Sequence, residues 1–168
     1  MQQPHSKPKP VTIRWGILGC GNVAEIKSGP GFQKARNSEL IAVMRRDKGK
    51  ATDFALRHRV PHSYSNSEDL IQDPQVDAVY ISTPPSSHAE LALKVAAANK
   101  PCLVEKPMAI NHSECIAMTK AFKKATVPLF VAYYRRALPR FLKVRELLQD
   151  QVVGQISSVR IVHYDPLT

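Results

Sequence analysis

The apolar run Ile13–Leu18 ends directly at Gly19-Cys20-Gly21-Asn22-Val23-Ala24, and the chain beyond it turns amphipathic. Few folds accept two glycines at such a junction. The first lets the chain leave a strand through a tight turn, because it has no Cβ. The second leaves the backbone open to close approach, and a small residue one turn on lets a helix lie against the sheet. Gly19, Gly21 and Ala24 stand in those three places. The pattern predicts strand, turn and helix, with the amides of Asn22 and Val23 at the helix start placed to meet the phosphates of a dinucleotide. The competing reading is a turn that serves the fold alone.

The rest of the chain alternates short apolar runs with amphipathic stretches, as a parallel sheet with crossover helices requires. Strands are expected near 12–18, 40–44, 61–64, 78–82, 102–105 and 129–132. The first helix begins near Asn22 and should be interrupted by Gly29-Pro30-Gly31. Others span about 47–59, a short piece from Ser67 to before Pro74, 87–98 and 111–125. Ser87 with Glu90, and Asn111 with Glu114, have capping-box spacing. A last helix covers 138–149 and stops at Gly154, and 156–162 alternates like a strand with one face buried. The fold class is therefore α/β, a doubly wound parallel sheet over residues 11–134. Residues 135–168 read as a linker helix and a first strand that do not close a domain, and residues 1–10, with three prolines, as a disordered tail.

Composition excludes several classes. Hydrophobic residues make up 43% of the 168, and no apolar run approaches the roughly 20 residues that span a bilayer. The first ten residues lack the apolar stretch of a secretory signal. Three widely spaced cysteines without a CxxC pair fit reduced thiols in the cytoplasm better than disulfides or zinc, and no metal site is expected. The net charge of +10 raises the question of nucleic acid. The basic residues are scattered, however, with no long run and no aromatic-interleaved motif, so no nucleic-acid partner is expected.

Chemistry concentrates at the expected strand ends. After the second strand stand Arg45 and Arg46, where an NAD site usually carries an acid for the ribose 2′-hydroxyl. Two guanidinium groups suit a 2′-phosphate, so NADP is favoured over NAD, against a solvated basic turn as the plain alternative. Thr83-Pro84-Pro85-Ser86-Ser87-His88 follows the fourth strand, where Thr83 and Pro84 would border the nicotinamide end. His88 reads either as a first-turn helix residue or as a cofactor contact. Glu105-Lys106-Pro107 follows the fifth strand. Lys106 is the catalytic candidate, able to donate to a substrate hydroxyl or the cofactor ribose, with Glu105 to orient it. Tyr133 and Arg135 follow the sixth strand as candidates for the substrate or for a domain-junction clamp.

With these residues in place the chain resembles the glucose–fructose oxidoreductase/inositol dehydrogenase/MocA family over about residues 11–164. The resemblance rests on GxxGxGxxA from Gly16 to Ala24, a TPxxxH-like turn from Thr83 to His88, Glu105-Lys106-Pro107, and Arg135-Arg136 with Pro139. It implies a Rossmann domain and an NAD(P)-dependent dehydrogenase or reductase of sugars, cyclitols or related polyols. The lysine matching Lys106 would lie beside substrate and nicotinamide. It also implies a second α+β domain, often used for homo-oligomers through its sheet, that supplies an Asp-x-x-x-His motif with the acid/base histidine. That motif is not reached by Thr168, so this chain alone is expected to be inactive. Two other readings stand beside this one: a non-catalytic NAD(P)-binding regulator, and a basic interaction module with a vestigial dinucleotide fold.

Overall fold

Ala78–Ile81 is buried at every position, the pattern of a strand covered on both faces rather than one. It lies in the middle of a six-stranded sheet. A computed structural model describes residues 11–162 and residue 164, so the expected tail at 1–10 lies outside the described residues. The order is β1 (Ile13–Leu18), a π-helical turn (Ala24–Ser28) running into α1 (Gly29–Lys34), β2 (Ser38–Met44), α2 (Lys48–His58), β3 (His62–Tyr64) and α3 (Ser67–Gln72). Then come β4 (Ala78–Ile81), a 3₁₀ turn (Pro85–Ser87) into α4 (His88–Ala97), β5 (Cys102–Val104), α5 (His112–Ala125) and β6 (Leu129–Val131). A 3₁₀ turn (Tyr134–Ala137) and α6 (Pro139–Gln149) follow.

All five strand pairs are parallel, in the order β3-β2-β1-β4-β5-β6. The doubly wound Rossmann sheet is thus formed, with its order reversing between β1 and β4. The register sets the site. Leu18 lies opposite Met44 and Ile81, Ile81 opposite Val104, and Val104 opposite Val131. Five strands therefore end in one row, and Gly19, Arg45, Ser82 and Glu105 all leave from the same edge. Alternate strand residues feed two cores. Ile17, Val43 and Tyr80 pack with Ala24 and Phe54 on one face. Leu18, Met44, Ile81 and Val104 pack with Leu91, Met118 and Phe122 on the other.

The chain departs from expectation in three places. Gly29-Pro30-Gly31 does not interrupt the first helix. The N–H of Gly29 bonds back to the Ala24 carbonyl in the wider π turn, and Pro30 sits at the start of α1, where its missing N–H is tolerated. Ser87 precedes α4 without capping it: its hydroxyl donates to Thr83 Oγ1 (2.8 Å) and lies 2.9 Å from the Pro84 carbonyl, while Glu90 pairs with Lys94. Residues 156–162 are exposed and form no ladder among the described residues, because a strand is stabilised only by a partner that takes its backbone groups. The described residues divide into two compact units, the break falling between Ala132 and Tyr133.

Candidate functional site

The turn after β1 is built from the bottom by hydrogen bonds to its neighbours. The amides of Gly19 and Cys20 both donate to the Met44 carbonyl, at 2.9 and 3.1 Å, which ties the turn to the end of β2. Ser82 ties it to β4: its amide donates to the Leu18 carbonyl (2.9 Å) and its hydroxyl to the Gly19 carbonyl (2.8 Å). Gly19 has φ +95°, and a Cβ there would lie 2.8 Å from Thr83 Cγ2 and 2.9 Å from the Thr83 amide nitrogen. Conformation and space both demand glycine. Gly21 differs, since a Cβ built on it would meet nothing within 4 Å. It faces open space, the arrangement that lets a ligand approach bare backbone. Asn22 and Val23 beside it are exposed and open the helix, whose first amides lack intrahelical acceptors.

Between this turn and α2 lies a cleft of about 290 Å³, with Gly21 and Asn22 on one side and Arg45, Lys50 and Arg57 on the other. Arg45 Nη1 reaches the Cys20 carbonyl at 3.4 Å. Arg46, the second arginine expected here, is exposed and does not line the cleft. Asp47 caps α2, its Oδ1 accepting from the Lys50 amide at 3.0 Å, so it is the helix start the sequence suggested. Glu25 closes the outer wall. Its carboxylate pairs with the guanidinium of Arg57, which also donates to Asp53 (2.9 Å), and with His58 Nε2 at 2.7 Å. The hydrogen-bonded Arg57, opposed by some desolvation and helped by His58, holds the Glu25 carboxyl down at about 2.

Across the switch point a second group gathers. His88 is fully buried, with Nδ1 2.9 Å from the Pro107 carbonyl and Nε2 2.7 Å from the Thr83 carbonyl. The ring joins the loops after β4 and β5 and presents neither nitrogen to the cleft. His88 is therefore a loop clamp, which corrects its expected place among the cofactor contacts. Burial of a first-turn helix face explains this, because α4 packs directly beneath both loops. Glu105 accepts the Tyr80 hydroxyl on Oε1 (2.7 Å) and the Lys106 amide on Oε2 (3.0 Å). The Lys106 side chain is exposed, and no carboxylate lies within ion-pair distance of it among the described residues. Thr83 is half-buried and Pro84 exposed at the same edge.

Residues 13–133 match the oxidoreductase family described as NAD-binding Rossmann fold. The chain belongs to the Gfo/Idh/MocA oxidoreductase family. It is 50% identical over 149 residues to "Oxidoreductase P35" of Formosa agariphila, covering 89% of this chain and 46% of that protein. It is 32% identical to the zebrafish (Danio rerio) trans-1,2-dihydrobenzene-1,2-diol dehydrogenase, covering 89% and 45%. Among solved structures, a probable dehydrogenase from Thermotoga maritima superposes with a TM-score of 0.80 at 28% identity, over 84% of this chain and 42% of that one. The chain thus spans about half the length of the relatives it matches.

As a member of this family the chain is a nicotinamide-dinucleotide-binding domain of oxidoreductase type. Its first unit brings Gly19, Gly21, Asn22, Val23, Arg45, Thr83, Pro84, Glu105 and Lys106 to one sheet edge. Tyr133 and Arg135, the candidate substrate contacts, belong to the second unit, where both are exposed and the Leu138 amide bonds to the Arg135 carbonyl at 3.1 Å. Sequence reasoning missed Tyr80, Ser28, Glu25 and Lys50. Tyr80 alone left a signal: a hydroxyl inside an otherwise apolar strand has to find a partner.

Proposed function

We propose that this chain is the cofactor-binding part of an NADP-preferring oxidoreductase that moves hydride to or from a sugar, cyclitol or related polyol. The observation that carries the reading is Gly21, bare and facing open space at the point where the strand order reverses. The turn 19–21 and the amides at the helix start fit a pyrophosphate, which approaches backbone and binds at a helix N-terminus. Arg45, which lines the cleft, fits the adenosine end, where an acid would be expected for NAD, and Arg46 stands exposed next to it in the chain. Thr83, Pro84, Glu105 and Lys106 border the nicotinamide end, and the bound nicotinamide supplies or accepts the hydride.

Lys106 has a role that follows from its chemistry. Its ammonium offers three hydrogen-bond donors and a positive charge, and no acceptor. Placed at a substrate oxygen, it stabilises the negative charge that develops as the hydroxyl proton leaves. Tyr133 and Arg135, exposed in the second unit, are the proposed substrate contacts there, and a homo-oligomer is the proposed assembly. The three free thiols support a cytoplasmic setting. The diol dehydrogenase named among the relatives supports a polyhydroxylated small molecule as substrate.

Calorimetric titration tests the cofactor choice. NADPH is expected to bind more tightly than NADH, and Arg45→Ala/Arg46→Ala to cost NADPH about 1.5–3 kcal/mol, the loss of a charge-assisted contact, with little effect on NADH. Equal affinities in the wild type, or an NADPH affinity untouched by the double substitution, would refute it.

A further inference from the structure

Beneath the cleft, three polar side chains from three separate elements meet in the interior. Tyr80 is 2% exposed in the middle of β4. Its hydroxyl lies 2.9 Å from Ser28 Oγ, at the end of the π turn, and 2.7 Å from Glu105 Oε1, just past β5. The direction of the chain follows from the donor inventory. A carboxylate only accepts, so the Tyr80 proton goes to Glu105, and Ser28 must then donate to the Tyr80 oxygen. Glu105 Oε2 in turn accepts the Lys106 amide at 3.0 Å. A continuous series runs from the helix that follows the glycine turn to the backbone of Lys106. The surroundings are apolar: Ile17, Val43, Ala24 and Phe54 pack in the same core, and Phe32 lies 5.2 Å from the Tyr80 ring. Burial and the neighbouring carboxylate push the Tyr80 phenol well above its usual range, so it stays a donor.

We propose that Tyr80 is a positioning residue: through the buried series Ser28–Tyr80–Glu105 it holds the Lys106 turn in place for the nicotinamide end of the cofactor. It touches neither cofactor nor substrate. The physical reason is exclusion of alternatives. Glu105 is half-buried, and the Tyr80 hydroxyl holds its Oε1 from the interior while Oε2 accepts the amide of the next residue, so the carboxylate is kept from swinging out toward solvent. The Lys106 amide is fixed by that carboxylate, and the π turn carrying Ser28 keeps the same series in step with the helix that opens at Asn22. Such a series is strengthened by the low dielectric of the interior and weakened when any member is lost.

The proposal rests on the dinucleotide reading above, and the test separates the two. Tyr80→Phe removes the hydroxyl and keeps the ring. Two ligands are titrated into the 168-residue chain: NADPH, and adenosine 2′,5′-bisphosphate, which lacks the nicotinamide half. The expected result is a loss of about three- to tenfold in NADPH affinity, as for one hydrogen bond, with the bisphosphate unchanged within about twofold. In the ligand-free variant the Lys106 amide should exchange with solvent about tenfold faster, because a Glu105 carboxylate released from Tyr80 no longer holds that amide steadily. A general loosening of the fold would weaken both ligands alike. Equal loss for both, or an unchanged NADPH affinity in folded Tyr80→Phe, would overturn the proposal. If Tyr80→Phe does not fold, Ser28→Ala carries the same test: a smaller split in the same direction upholds it and no split overturns it. A wild-type chain that binds neither ligand overturns the dinucleotide reading, and this proposal with it.

Discussion

At the scale of single residues, the acid Glu25 shows how the outer wall of the cleft depends on pH. Its carboxyl falls from an ordinary 4.5 to about 2 because Arg57 and His58 hold the charged form. A lowered carboxyl stabilises the fold above its unfolded value and loses that contribution as pH falls through 4.5 toward about 2. Glu25→Gln should therefore melt lower than the wild type at pH 7, and the gap should close across that window. Thermal unfolding of both proteins from neutral to acid pH measures it, and a gap constant with pH would contradict the assignment. The glycines were legible because their constraint is local: a φ of +95° at Gly19 and open space at Gly21 belong to one turn. Glu25 and Tyr80 were not. Their partners lie 32 and 25 positions away along the chain, a proximity that only the packed sheet creates.

At the scale of elements, the two capping boxes expected from the sequence had opposite outcomes. Asn111 caps α5, its side-chain oxygen accepting the Glu114 amide at 2.9 Å, and Glu114 returns to the Asn111 side chain and the Ile110 amide. Asn111→Ala should cost about 1 kcal/mol of stability, read by chemical denaturation, without changing cofactor affinity. A loss of affinity as large as the loss of stability would show that this helix start is coupled to the site. Ser87 has the same spacing, yet it faces the 3₁₀ turn of the Thr83–Ser87 loop and bonds there. Strands and helices were readable from period and punctuation, since each needs only its own residues to declare a buried face. The continuous first helix was not, because the π turn that accommodates Pro30 is a backbone choice that no residue pattern announces. The strand expected at 156–162 needs a partner strand, and its alternation describes a preference that a sheet has to complete.

For the whole molecule, the parallel register matters most: it delivers the glycine turn, the basic cleft and the Lys106 loop to one edge from elements spread over some ninety residues of chain. The same edge makes a further prediction. Hydride transfer from a hydroxylated carbon requires a base at the hydroxyl proton. His88 has both ring nitrogens at backbone carbonyls, and Glu105 has both oxygens engaged. The 168-residue chain should therefore bind cofactor but show no turnover with NADP or NAD across a panel of sugars, inositols and sugar acids. Turnover abolished by Lys106→Ala would contradict this and make a residue of this edge the working base. The claim on which everything else depends is that a nicotinamide dinucleotide lies against the bare backbone at Gly21. The direct measurement is calorimetric titration of NADPH into the wild type and into Gly21→Val. A Cβ there meets nothing within 4 Å, so the variant should fold with stability within about 0.5 kcal/mol of the wild type. It should nonetheless bind no cofactor, whereas the wild type binds it. A folded Gly21→Val protein that retains wild-type affinity would show that the cofactor is held elsewhere.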